Sequence, residues 1–148
     1  MPSVTRNTPR LPFSASTLMG TRVHTHESTL VGHVRDFVID VDTGRLLYAV
    51  LDPAETLALS GRFVPVPWEA LTLSTQEHAL QLAMAPHRLV QAPTFASDAW
   101  PHGADDQFND RVYAFFGFEP YSVFRLRTAR GYRAQKRASP ALALSEQG

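Results

Sequence analysis

The sequence contains no cysteine. That removes disulfide staples, thiolate nucleophiles and thiolate metal ligands together, and it fits a reducing compartment. Lysine is almost missing as well, since Lys136 is the single lysine among 14 basic residues. No stretch approaches the roughly 18 apolar residues of a membrane-spanning helix. The opening MPSVTRNTPRLPF holds two arginines and three prolines but no apolar run of signal-peptide length, so the expectation is a cytoplasmic, non-spanning protein. The nucleophile elbow G-x-S-x-G, the phosphate loop G-x-x-x-x-G-K and the dinucleotide fingerprint G-x-G-x-x-G do not occur, and no enzyme activity is expected. The run Asp40-Val41-Asp42-Thr43-Gly44 starts like a calcium loop. Its glycine falls one place early and its twelfth position is Leu51, which cannot supply a bidentate carboxylate.

What is present describes one ordinary domain with something appended. The 148 residues are 44% hydrophobic and 19% charged, which is enough for a single core and too little for a second. Formal charge is zero overall, with 14 basic against 14 acidic residues. The two signs are segregated. Residues 1–124 carry 8 basic and 13 acidic side chains, whereas residues 125–148 carry 6 basic and 1 acidic, so an acidic body bears a basic tail. Such a tail can be an arm for nucleic acid or a membrane surface, or it can dock on its own acidic body.

Residues 1–15 read as a flexible leader, because prolines and polar residues leave no periodic apolar pattern. Short β-branched and aromatic runs between Gly, Pro, Asp and Ser clusters predict strands at Thr21–Thr25, Val31–Val41, Arg45–Leu51, Arg62–Val66, Thr72–Ser74 and Ala79–Met84. Asp42-Thr43-Gly44-Arg45 supplies the hairpin turn, with an Asp to bond the turn backbone and a glycine free to take positive φ. The segment 53–61 is too irregular for a strand and reads as a mobile surface loop. Pro65 and Pro67 cannot donate ladder hydrogen bonds, which puts their strand at an edge or a corner. Past Pro86 the period changes. Asp105 and Asp106 cap a helix over about Asp105–Phe116, Phe108, Val112 and Phe115 recur on one stripe, and Gly117 ends it. From Arg125 a frayed tail is expected.

The runs Leu18-Met19-Gly20-Thr21-Arg22-Val23, Val31-Gly32-His33-Val34-Arg35-Asp36-Phe37-Val38-Ile39-Asp40, Gly44-Arg45-Leu46-Leu47-Tyr48-Ala49-Val50-Leu51 and Val64-Pro65-Val66-Pro67-Trp68-Glu69-Ala70-Leu71 together resemble the PRC-barrel domain. This module is shared by the photosynthetic reaction-centre H subunit, the C-terminal half of the ribosome-maturation factor RimM and many stand-alone bacterial proteins. Trp100-Pro101, Arg111-Val112-Tyr113 and the stretch from Phe115 to Tyr121 also resemble the aromatic extension of stand-alone members. The resemblance implies a mainly β protein, a small six-stranded PRC-type β-barrel with a C-terminal amphipathic helix. The expected layout is leader 1–15, barrel 16–95, helical aromatic extension 96–124 and basic tail 125–148. It implies a docking surface without a catalytic constellation. The loop 53–61 departs from the family's glycine-rich pattern, with a single glycine.

Three surfaces remain as candidates. Pairing Val23 with Val34 sets His24 opposite His33 with His26 alongside, two imidazoles within reach of one ion. A stable zinc site needs three or four supported ligands, so no metal and no cofactor are expected. The aromatic residues Tyr113, Phe116, Phe118, Tyr121 and Phe124 exceed what one short helix needs to pack, which marks them as candidates for binding a protein partner, with a homodimer as the default. Arg125, Arg127, Arg130, Tyr132, Arg133, Lys136 and Arg137 combine phosphate-forking guanidinium groups with a stacking ring, the combination used by RNA-binding arms. The leading reading is a non-catalytic binding or assembly module for a protein partner. The alternative is an RNA- or ribosome-associated factor.

Overall fold

Local sequence signals account for most of the elements. The computed structural model describes residues 14–74, 76–101 and 105–127. In chain order they form helix α1 (Ala15–Leu18), strands β1 (Arg22–Thr25), β2 (Leu30–Asp40), β3 (Arg45–Pro53), β4 (Arg62–Pro67), β5 (Leu71–Ser74) and β6 (Ala79–Leu82), helix α2 (Pro86–Leu89), strand β7 (Phe95–Ala96) and helix α3 (Asp106–Phe115). Residues 121–127 form a further helix, α4. The expected strands recur with ends shifted by one or two residues. Beyond them, β7 is an addition, and regular structure runs past Phe124, since α4 is helical as far as residue 127, where the described residues end.

The seven strands lie in the order β5-β6-β1-β2-β3-β4-β7. Strands β4 and β5 stand five neighbours apart in that order, which in a flat sheet is about 24 Å at 4.8 Å per step. Yet they are joined by the single 3₁₀ turn Trp68–Ala70, which rises only about 6 Å. The sheet must therefore roll up until its two sides meet. The roll encloses Val23, Val34, Leu51, Val64, Val66, Leu80 and Leu82 as one core. It is not a closed six-stranded barrel: among the described residues there are seven strands, and no ladder joins β4 to β5. The physical reason lies in the sequence, since of the last three residues of β4 only Val66 has an N–H to give a new partner. The edge of β4 is taken instead by β7, at Arg62↔Ala96 and Phe63↔Phe95.

Two further expectations give way. A register shift after Val23 sets Val23 opposite Gly32 and His24 opposite Leu30, while His33 faces Arg22. The two imidazoles are therefore not cross-strand partners, because one extra residue re-aims a strand. The segment 53–61 is not simply a surface loop either. Pro53 ends β3, Glu55–Leu57 is a 3₁₀ turn, and Leu57 is buried in the core alongside Leu89 and Ala92. Burying Leu57 is worth roughly 1.5–3 kcal/mol and fixes a stretch whose backbone alone has no regular partner.

Strand β3 explains where the helices go. Residues Leu47 to Leu51 are all buried, so both faces of the strand are covered. Leu51 faces the rolled core, whereas Leu47, Tyr48 and Val50 belong to a second core with Phe108, Val112 and Tyr113 of α3 and with Tyr121 of α4. The helix α3 begins where Asp105 accepts the Phe108 N–H at 3.0 Å. It ends in a Schellman motif: Phe118 N–H donates to the Tyr113 carbonyl at 2.9 Å, Gly117 N–H to Ala114 at 3.0 Å, and Gly117 takes φ +86°.

Candidate docking surface

The β2–β3 hairpin presents two faces of different character. Its tip closes over Val41–Gly44: Gly44 N–H donates to the Asp40 carbonyl at 2.7 Å, and the Asp40 side chain accepts the Asp42 N–H at 3.0 Å. The turn-bonding aspartate is thus Asp40 rather than Asp42. Cross-strand pairs Phe37↔Ala49, Val38↔Tyr48, Ile39↔Leu46 and Asp40↔Arg45 alternate between the hairpin's two faces.

The outer face is covered by the extension. Tyr113 donates its hydroxyl to the Leu47 carbonyl at 2.5 Å, and Tyr121 donates to Asp40 Oδ2 at 2.5 Å. Arg45 lies 3.7 Å from the centroid of the Phe124 ring and forms an ion pair with Glu69. The start of α4 is tied to α3, because Ser122 gives both its N–H and its hydroxyl to the Asp110 carboxylate at 2.8 Å. Arg125 then sits among three carboxylates, 3.5 Å from Asp40, 3.5 Å from Asp106, and in an ion pair with Asp42. Burial works to raise the Asp40 carboxyl, but the hydrogen bonds from Tyr121 and Asp42 and the charge of Arg125 outweigh it and hold the group below its ordinary value. Burial, helped by the bond to Asp40, pushes Tyr121 up to about 12.

The aromatic candidates are therefore largely spent on intramolecular packing. Tyr113 and Tyr121 are buried, and Phe116, Phe118 and Phe124 are partly buried against the second core. Of the arginine-rich candidates, Arg125 docks on the body and Arg127 pairs with Glu119 at 2.6 Å. Arg130, Tyr132, Arg133, Lys136 and Arg137 lie outside the described residues. Among the described residues no group of three or more His, Asp or Glu side chains gathers to hold a metal, and no helix is long and apolar enough to cross a membrane.

The inner face at the hairpin tip is different, because the described residues leave it without complete cover. Phe37, Ile39 and Leu46 form one wall of a groove of about 320 Å³, and Ala15 and Leu18 of α1, Trp68 and Leu73 form the rest. Phe37 meets Trp68 edge to face at 5.9 Å. Ile39 keeps 56% of its surface exposed, Val41 at the turn 89% and Met19 beside α1 43%. Sequence reasoning did not single these residues out. The available signal was the run Phe37-Val38-Ile39-Asp40-Val41, apolar on both faces of one strand, which requires two covers where the sequence led us to expect one amphipathic helix.

By fold this is a rolled, mainly β sheet with a helical layer on its outside. Residues 12–83 match the family model of the PRC-barrel domain. The chain therefore carries a PRC-barrel domain at residues 12–83, a segment that includes β1 to β6, with α2, β7, α3 and α4 following it. Among curated proteins none matches the chain.

Proposed function

We propose that the chain is a non-catalytic docking module that binds a protein partner through the bare inner face of the β2–β3 hairpin. The observation that carries this reading is the apolar groove walled by Phe37, Ile39, Leu46 and Trp68, with Ile39 more than half exposed. Apolar surface concentrated at one place is favourable to remove from water, and on a small protein such a patch marks an interface. The opposite face of the same hairpin shows the mode of cover that works, since there α3 and α4 lay aromatic side chains against it. The reading moves the docking surface from the aromatic extension to the sheet, because the extension's rings already have partners within the chain.

A photo-cross-linking residue at position 39, with position 91 as an exposed control on another part of the surface, tests the reading in the native cytosol. Protein adducts should form at 39 and not at 91. The adduct, once identified and purified, should bind the wild-type chain at least tenfold more tightly than Ile39→Asp. Equal binding by the two, or adducts no stronger at 39 than at 91, would reject docking through the groove. RNA adducts mapping to the arginine-rich segment that starts at Arg125 would instead favour an RNA-associated factor.

A further inference from the structure

We infer that the occupant of the groove is a second copy of this chain, paired about a two-fold axis so that the hairpin tip of each copy enters the groove of the other. The inference rests on the docking reading above and names its partner. The hairpin tip presents a knob and a hole side by side. Val41 projects almost fully exposed from the turn, and two residues earlier Ile39 forms part of the groove wall. A surface that carries both a projection and a receiving groove is self-complementary, and a two-fold axis satisfies both contacts at once.

Charge points to the same occupant. Residues 14–127 carry 8 basic and 13 acidic side chains, while residues 1–13 and 128–148 together carry 6 basic and 1 acidic. A second copy therefore brings cationic ends to an anionic body, and two copies meet without net repulsion because the whole chain is neutral. An unrelated acidic protein would meet the body's excess of carboxylates.

Sedimentation equilibrium of the full chain tests the pairing. A dimer is expected at micromolar concentration. Ile39→Asp and Val41→Asp should each raise its dissociation constant at least tenfold while leaving the circular dichroism spectrum of the folded chain unchanged, since both side chains are exposed. Raising salt from about 0.05 M to about 0.5 M should weaken the dimer severalfold by screening the body-to-end attraction. A chain monomeric at high micromolar concentration, or a dimer that both substitutions leave intact, would overturn the inference. If the chain is monomeric but position 39 still cross-links a different protein, docking through the groove stands and self-pairing falls. If it is monomeric and position 39 cross-links nothing, both fall.

Discussion

Tyr121→Phe should destabilise the protein more than Arg125→Ala, although Arg125 touches three carboxylates and Tyr121 only one. The Tyr121 ring is 2% exposed, and its hydroxyl donates to a charged acceptor at 2.5 Å. A hydrogen bond of that kind contributes about 1.5–3 kcal/mol. The substitution preserves the ring and its contacts with Tyr113 at 5.1 Å and Phe124 at 6.0 Å, so little packing is lost. Asp40 keeps the Asp42 N–H and the Arg125 guanidinium, which puts the cost in the lower part of the range, about 1.5–2 kcal/mol. The Arg125 side chain is 33% exposed and its longer ion pairs span 3.5 Å, so its removal should cost about 0–1 kcal/mol. Both side chains act on the same carboxylate oxygen, and the double variant should depart from additivity by about 0.5–1 kcal/mol. Urea denaturation followed by circular dichroism measures all four corners of the cycle. A larger loss for Arg125→Ala, or strict additivity, would mean that charge rather than the buried hydroxyl fastens α4.

Two other perturbations read different parts of the architecture. A Cβ on Gly32 would sit 2.3 Å from the Asp52 carbonyl oxygen and 2.8 Å from Leu51 Cδ1, so Gly32→Ala must force β2 and β3 apart at a cost of about 3 kcal/mol or more. Gly44→Ala meets nothing within 4 Å and pays only for its φ of +72°, about 1–2 kcal/mol, so a melt showing Gly44→Ala to be the worse of the two would contradict the strand geometry. Burial pushes Tyr48 and Tyr121 up to about 12 and raises Tyr113 as well. Because these folded values exceed the unfolded value of about 10, their stabilisation is complete below about pH 10 and is lost as pH rises towards 12. Tyrosinate absorbance should therefore show at most one of the four tyrosines ionising near pH 10 in the folded chain, and three ionising there would refute the burial. Asp40 runs the other way: its contribution is present above about pH 4 and disappears as acid takes the pH down through its lowered folded value, which an acid melt of Asp40→Asn should lack.

The features that could be read from the sequence are those set within a few residues. Strand β4 was expected at Arg62–Val66 and occupies Arg62–Pro67, and the cap at Asp105 and the stop at Gly117 both hold, because capping and turn chemistry act over one turn of chain. What eluded the sequence depends on distant partners. The two-residue strand β7 exists only because the edge of β4 is free to receive it. The parallel pairing of β1 with β6, Arg22↔Ala79 through Thr25↔Leu82, joins segments more than fifty residues apart and leaves no local mark. The shift after Val23 undid the expected contact of His24 with His33, since a bulge is invisible to an alternation pattern that continues on either side of it. The aromatic stretch was seen, but its direction was not: a helical stripe of Phe and Tyr looks alike whether it covers its own sheet or another molecule.

That ambiguity is resolved by counting faces rather than aromatic residues. The hairpin of β2 and β3 is apolar on both sides beyond the rim of the roll; α3 and α4 close one side, while among the described residues only the short α1 borders the other, as part of the wall of an open groove. Adding rings to the extension would thicken a layer that is already tied down by Tyr113, Tyr121, Ser122 and Arg125. It would leave Ile39 as exposed as before. The same bonds account for the first arginines of the basic tail, which neutralise Asp40, Asp42, Asp106 and Glu119 of the acidic body and so hold the outer cover in place. Under the proposed docking, substitutions at Ile39, Val41, Leu46 and Trp68 should change what the protein binds, while substitutions at Tyr113, Tyr121 and Arg125 should change whether the hairpin stays dressed on its other side.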